Sequence, residues 1–483
     1  MITGLLIIFP LICALILFLL NTEKWIKIIA VAGSVTQFLI SAYGLFLFTT
    51  KCNCQLLLYL GSAENLGISL RFGLDGISLL LVLLTTFLIP LIILTTIQHR
   101  YRNPSALYGL IMLMEMAFIG VFSAYDGMLF YIFWELALIP AYFICAIWGG
   151  NDRIRITLKF FIYTFTGSLF MLVGLIYLFF RTPLPHSFDL HSLTSAILSS
   201  KEQAWIFLAF FLAFAIKIPI FPLHTWQPDT YTVAPSGGTM ILAGIMLKMG
   251  IYGLLRFLLP ICPIVMQNWG FIIIILAVVG IIYASIIAIR QKDLKRLVAY
   301  SSIAHVGLIS AGVFTMTEIG LNGVVIQMIS HGINIVGLFM IIDRIEIRLK
   351  TTEISRLGGI ALKAPFLAVF FMIFLLGSIA LPMTNGFIGE FLILLGIFEY
   401  NHWIAAVTGI TIILSAVYML RMYQQTMFGE PVELTSNMKD LTWLEALPMI
   451  PLVIMVFWIG IFPGFYLHLA EPAIKEMLYF VHG

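Results

Sequence analysis

Apolar runs long enough to cross a bilayer recur along the whole of this 483-residue sequence, and no other feature constrains its fold as strongly. A crossing helix needs about 17–25 such residues. About fourteen runs qualify, at roughly 2–20, 26–49, 76–97, 107–125, 127–149, 159–180, 204–227, 236–259, 270–290, 298–316, 320–343, 364–400, 403–428 and 445–468. Each must be helical, because hydrocarbon offers no partner to open backbone groups. Charged residues make up 10% of the chain, against about 25% in soluble domains. A water-soluble fold would expose apolar surface on an aggregating scale. The expectation is an all-α polytopic membrane protein whose first partner is the lipid bilayer. Nucleic acid is excluded as a partner, since no basic patch interleaved with aromatics is present. The first run lacks the basic flank and small-residue cleavage site of a secretory signal.

The basic residues report orientation. With these spans, eighteen Lys and Arg fall in loops on one side, and only Lys51, Arg71, Arg181, Lys201, Arg256 and Lys475 on the side of the N-terminus. The first side is expected to face the cytoplasm, with both termini opposite. A bacterial inner membrane is the simplest location. Of five cysteines, Cys13, Cys145 and Cys262 lie in or near apolar runs and are expected to pack there. Cys52 and Cys54 fall in an outer loop, where a disulfide survives. The chain has no CxxC pair, haem motif, Gly-rich nucleotide loop or GxSxG elbow, so neither a redox cofactor nor a metal is expected on it.

Five charges remain near the middles of the spans, away from the flanks: Glu115, Glu135, Lys217, Lys248 and Glu390. An ionised group at mid-bilayer costs about 2.5–3.5 kcal/mol, so five cost roughly 15 kcal/mol. That equals or exceeds the whole stability of an ordinary domain, about 5–15 kcal/mol. Such groups persist only if they pair, meet water or change protonation state. His305 and His331 also lie near the middles of their spans. Carboxylate, amine and imidazole are the side chains that exchange protons when burial brings their pKa towards neutrality. A proton relay in the membrane is the leading expectation. The competing one is structural: buried charge pairs can act only to hold helices in register.

Two apolar runs are interrupted beside these charges. Pro219 and Pro222 follow Lys217 and each removes a backbone donor, which breaks or kinks the helix there. His224 and Thr225 are adjacent partners for the freed carbonyls. As one helix, the 364–400 run would extend about 55 Å against a core of about 30 Å. Its interruption is LPMTNGFIGEF, with Pro382, Gly386 and Gly389 just before Glu390. Irregular backbone at this depth is tolerated where it lines a protein or water cavity. Spans 4–8 and 9–13 form two five-helix sets, each with a discontinuous fourth helix, the pattern of inverted repeats. The expected organisation is three helices over 1–106, the repeats over 107–259 and 260–428, and a C-terminal helix over 429–483.

The chain resembles the antiporter-like subunits of respiratory NADH:quinone oxidoreductase (complex I), a family related to multisubunit cation/proton antiporters and membrane-bound hydrogenases. The resemblance covers nearly the whole chain. It is carried by FGLDGISLLL at 72–81, FYIFWELALIPAYFICAIWGG at 130–150, FAIKIPIFPLHTWQPDTYTVAPSGGTMILAGIMLKMGIYGLLRF at 214–257, DLKRLVAYSSIAHVG at 293–307 and NGFIGEFLIL at 385–394. It implies that Glu135 is the carboxylate of the fifth helix, Lys217 the lysine of the first broken helix and Lys248 the lysine of the next. Glu115 resembles a carboxylate of the fourth helix, and His305 and His331 match a connecting polar axis, with His224 in support. Glu390 stands where the M-type branch has glutamate and the L-type, N-type and Mrp D-type branches tend to have lysine. Only one span follows the second repeat, so the lateral helix of the L-type branch is absent. The resemblance implies proton translocation: Glu135 modulates Lys217, Lys248 and His331 relay the proton, and Glu390 is the outlet. It further implies neighbouring membrane-arm subunits as partners, with NADH, FMN, Fe–S clusters and quinone bound on other subunits. The alternative within the resemblance is a cation/proton antiporter subunit of the Mrp type.

Overall fold

The computed structural model describes residues 2–49 and 55–482. Lys51, Cys52 and Cys54 lie outside the described residues. In chain order the elements are α1 (Ile2–Leu19), α2 (Glu23–Leu47), β1 (Gln55–Ala63), β2 (Ile68–Leu74), α3 (Gly76–Thr96), α4 (Pro104–Ser123), α5 (Gly127–Trp148), α6 (Arg153–Phe179), α7 (Leu190–Thr194) and α8 (Ser200–Lys217). Then follow α9 (Gln227–Val233), α10 (Ser236–Ile261), α11 (Pro263–Arg290), α12 (Leu294–Thr315), α13 (Glu318–Leu349), α14 (Ile360–Lys363), α15 (Pro365–Ser378), α16 (Asn385–Tyr400), α17 (His402–Met427), α18 (Trp443–Ala446), α19 (Met449–Ile461) and α20 (Gly464–His482). Among the described residues, eleven helices are long and apolar enough to cross a membrane, or twelve if the bent pair α19 and α20 counts as one span. This is a mostly helical polytopic membrane protein. Cys13, Cys145 and Cys262 are buried free thiols.

Two features correct the sequence reading. The chain is not all-α: β1 and β2 pair antiparallel, with Leu58 opposite Phe72 and Ala63 opposite Ile68. Three basic residues assigned to loops are instead buried in helices, namely Arg256, Lys295 and Arg344. For Arg344 the cause is helix length. At 32 residues, α13 extends about 48 Å, well past a core of about 30 Å. Its last turns carry charge but remain covered by protein. There Arg344 contacts Asp343 at 2.6 Å, and Arg348 contacts Glu445 of α18 at 2.7 Å. Burial favours the neutral form of Glu445, but hydrogen bonds from Arg348 and Thr442 outweigh it and hold its pKa below the ordinary carboxylate value. That link therefore contributes above the ordinary carboxylate pKa and weakens as pH falls through the lowered one. Lys295 is likewise paired, with Glu346 at 2.7 Å.

The chain forms two compact units. One comprises residues 1–218, 245–272 and 468–483, and the other residues 219–244 and 273–467. In the first, the start of α3 is the most tightly tied point. Asp75 is its N-cap, accepting from the Ser78 amide at 2.8 Å while the Ser78 hydroxyl bonds back. The other Asp75 oxygen receives Arg256 Nη1 at 2.8 Å, and the Arg256 guanidinium lies 4.5 Å from the centroid of the Tyr125 ring. Both members of this pair are buried. Nearby, Arg71 meets Asp189 at 2.9 Å with the arginine side chain 43% exposed. In the second unit, α13 is wrapped by α12, α15, α16 and α19 and is buried along nearly its whole length.

The two pairs give a direct comparison. Asp75→Ala strands a buried arginine and removes a cap, a loss of about 3–5 kcal/mol. Arg71→Ala opens a half-exposed pair worth under about 1 kcal/mol. Thermal unfolding of the purified chain should show a much larger fall in midpoint for Asp75→Ala, and equal falls would contradict this reading of the pair.

Candidate functional site

In the first unit, α4, α5, α8 and α10 carry Glu115, Glu135, Lys217 and Lys248. The last intrahelical bond at the end of α8 runs from the Ile218 amide to the Phe214 carbonyl. Residues 218–226 then form turns without helix, where Pro219 and Pro222 supply no donors. Lys217 is thus the final residue of its helix, 1% exposed. Its Nζ lies 4.9 Å from the centroid of the Trp134 ring and meets no hydrogen-bond partner among the described residues. Trp134 immediately precedes Glu135, so one turn of α5 presents Lys217 with both an aromatic face and a nearby carboxylate charge. An ammonium over a desolvated indole gains up to about 2 kcal/mol. Glu135 is half-buried, with Ser168 of α6 as a polar neighbour.

Glu115 is fully buried, and neither carboxylate oxygen has a hydrogen-bond partner among the described residues. Lys248, also fully buried, sits in an α-helical stretch of α10 between two π turns, Leu242–Met246 and Leu254–Leu258. π turns inside helices recur at functional sites.

In the second unit, His305, His331 and Glu390 converge. Glu390 Oε1 lies 2.9 Å from His305 Nδ1 and accepts from Gln327 Nε2 at 3.2 Å. The contact is close in distance but does not have the geometry of an aligned hydrogen bond. The His305 and His331 rings are 6.0 Å apart at their centroids, and His331 Nε2 shares a 3.0 Å hydrogen bond with Ser302 Oγ. Between them is a cavity of about 10 Å³, bordered by Ser301, Gln327, Asn334 and the last turn of α15 at Gly377 and Ser378. That is near the lower limit for one water molecule. His224 packs elsewhere in this unit: its ring stacks on Phe221 at 5.6 Å and meets Tyr283 edge-on at 5.2 Å.

The gap between α15 and α16 is secured from α13. Ser330 Oγ donates to the Asn385 carbonyl at 3.0 Å, and Asn334 Nδ2 to Asn385 Oδ1 at 3.0 Å. Gly389 allows the close approach that brings Glu390 to Gln327. A methyl group at Gly389 would lie 2.8 Å from Gln327 Cα and Cβ, closer than packed side chains allow. The sequence reading missed Trp134, Gln327, Asn334 and Asn385. A signal existed for two of them: Gln327, Ser330, His331 and Asn334 fall at i, i+3, i+4 and i+7, one polar stripe through the otherwise apolar middle of the helix.

Over residues 124–415 the chain matches the family model described as NADH:quinone oxidoreductase/Mrp antiporter, transmembrane. The chain belongs to this family. Within it, the NADH-quinone oxidoreductase subunit M of Rickettsia typhi is 41% identical, over 98% of this chain and 97% of the relative. A chain of respiratory complex I from Thermus thermophilus with bound NADH superposes with a TM-score of 0.93 at 32% identity, covering 100% of both chains. A chain of the Mrp complex from Dietzia sp. DQ12-45-1b reaches a TM-score of 0.88 at 19% identity, covering 100% of this chain and 99% of that one, and shows the shared fold alone.

The close approach at Gly389 sets a stability prediction. Gly389→Ala should destabilise the chain by about 1–3 kcal/mol through overpacking. Gly409→Ala, where a methyl meets nothing within 4 Å, should be neutral or gain about 0.5–1 kcal/mol of helix stability. Thermal midpoints of the two purified variants check the ordering, and the reverse order would refute it.

Proposed function

We propose that the chain is the M-type, proton-translocating membrane-arm subunit of an NADH:quinone oxidoreductase. The observation that carries this reading is the Glu390–His305–Gln327 cluster beside the gap between α15 and α16. An acid and an imidazole at 2.9 Å, next to a small cavity bordered by polar side chains, suit a proton transfer step better than a static pair. Lys217 adds to it: an ammonium at a helix end, held by an aromatic face, is free to exchange its proton. In this proposal a shift of Glu135 relative to Lys217 alters how tightly the lysine holds that proton. Two unit charges about 4 Å apart attract by about 4 kcal/mol at an effective dielectric of 20. Each 1.36 kcal/mol is about one pKa unit, so a modest displacement suffices. Lys248 and His331 continue the relay, the cavity beside His305 takes one bridging water, and Glu390 is the outlet. Glu115 and His224 support the first and second parts of the path.

The same proposal includes the finer topology. The run that contains α8, the α15–α16 pair and α19 complete fourteen crossings, arranged as three helices, two inverted five-helix repeats over 107–259 and 260–428, and a C-terminal segment. The basic side faces the cytoplasm of a bacterial inner membrane, with both termini opposite. Neighbouring antiporter-like subunits flank the chain. NADH, FMN, Fe–S clusters and quinone are bound by other subunits, whose redox chemistry supplies the energy. Exchange of sodium for protons by an Mrp-type assembly is the second reading, supported by the shared fold alone, and Glu390 in place of lysine disfavours it.

In the assembled enzyme, Lys217→Ala and Glu135→Ala should leave the complex intact on a native gel. They should lower NADH-driven quinone reduction and proton pumping together. Full pumping by an assembled Lys217→Ala enzyme would overturn the assigned role. Loss of assembly before loss of pumping would favour a purely structural function for the charge.

A further inference from the structure

A second cluster of charge lies apart from the residues above, where α11 ends. It surrounds a cavity of about 720 Å³, within the range of about 300–1,000 Å³ typical of ligand sites. Arg290 and Lys292 border it from the end of α11 and the turn beyond, and Arg421 and Gln425 from the last turns of α17. Glu353 and Ser355 close it from the segment after α13. This frame is built, not incidental. Arg421 Nη1 reaches the Ile289 carbonyl at the end of α11, at 3.5 Å, and the Ile354 amide donates to the Lys292 carbonyl at 2.7 Å. Glu353 is the single acid, and it accepts from the Ser355 hydroxyl at 2.8 Å. Among the described residues, none of Arg290, Lys292 and Arg421 forms an ion pair with a side chain of this chain. Three cations thus converge on a space where Glu353 is the single counter-charge among the lining residues.

The surface beside the cavity changes character within two helical turns. Ile286 and Tyr283 precede Arg290 on α11, about 6 Å and 10 Å further along the axis at 1.5 Å per residue. Both are exposed, as are Val417 and Leu420 of α17. A ligand that fits must therefore be anionic at one end and apolar at the other. We infer that this cavity binds the phosphate headgroup of an anionic phospholipid, whose acyl chains run along the exposed apolar faces of α11 and α17. On the orientation proposed above, the basic side of the chain faces the leaflet in which such lipids attract cationic residues, at about 1 kcal/mol for each Lys or Arg. A free phosphate would use the cations and leave the apolar faces bare. A neighbouring polypeptide would need an acidic surface above an apolar one.

The test is photo-cross-linking from a benzophenone side chain placed at Gln425 in the assembled complex, reconstituted in phosphatidylcholine vesicles with or without phosphatidylglycerol. Phosphatidylglycerol adducts should exceed phosphatidylcholine adducts by at least about tenfold after correction for abundance. Lys292→Gln should lower phosphatidylglycerol capture about fivefold. The triple change Arg290→Gln, Lys292→Gln, Arg421→Gln should abolish the preference, with an unchanged thermal midpoint because all three sites are at the surface. Excess inorganic phosphate should leave the adduct in place. Equal capture of the two lipids, a preference that survives the triple change, displacement by inorganic phosphate, or an adduct to another polypeptide would each overturn the inference.

Discussion

Desolvation of charge is the constraint on which the rest of this structure depends. Each ionisable group held inside a bilayer-spanning protein costs free energy unless something nearby replaces the water it has lost. The departures from plain apolar helix meet that demand. Asp75 answers it by capping a helix and pairing with Arg256 at once. Arg344 answers it with Asp343 and Glu445. The stripe along α13 answers it with neutral amides and a hydroxyl, which solvate Glu390 and the unwound backbone near Asn385 without adding charge.

These answers fall into two kinds, and the difference bears on function. Asp75 and Arg256 are held on several sides, which suits a fixed joint. Lys217, Glu115 and Glu390 are only partly answered: an ammonium over a ring, a carboxylate without a donor, a second carboxylate with one oxygen unmatched. Incomplete solvation is expensive for stability and useful for transfer, because a proton can leave or arrive without a strong pair first being broken. Lys217 ends its helix, and Glu390 lies in the second turn of α16, beside the break. Local backbone irregularity inside membrane helices recurs at functional sites and is tolerated where it lines protein or a water cavity.

Much of this was legible in the sequence, for reasons that differ by residue. Lys217 could be placed at a helix end because Pro219 and Pro222 cannot continue a helix. Glu390 could be placed beyond a break because the 364–400 run is too long for one span. Trp134 was not legible as the partner of Lys217, because a contact between two helices leaves no local periodicity. Gln327 and Asn334 were legible and passed over, since neutral amides do not stand out in a search for formal charge. The hairpin at 55–74 was hidden by two register shifts that interrupt its alternation. Arg344 read as a loop residue because the polar sequence around it resembles a flank, yet α13 carries it into covered protein.

The central claim is that the partly solvated groups act together as one proton path. A double-mutant cycle on His305 and Glu390 tests it most directly, with proton pumping measured in proteoliposomes containing the assembled enzyme. Groups that act as a unit are strongly non-additive. The account therefore predicts that His305→Ala, Glu390→Gln and the double change reduce pumping to about the same low level. Two independent losses that multiply in the double variant, or pumping that survives both changes, would contradict it.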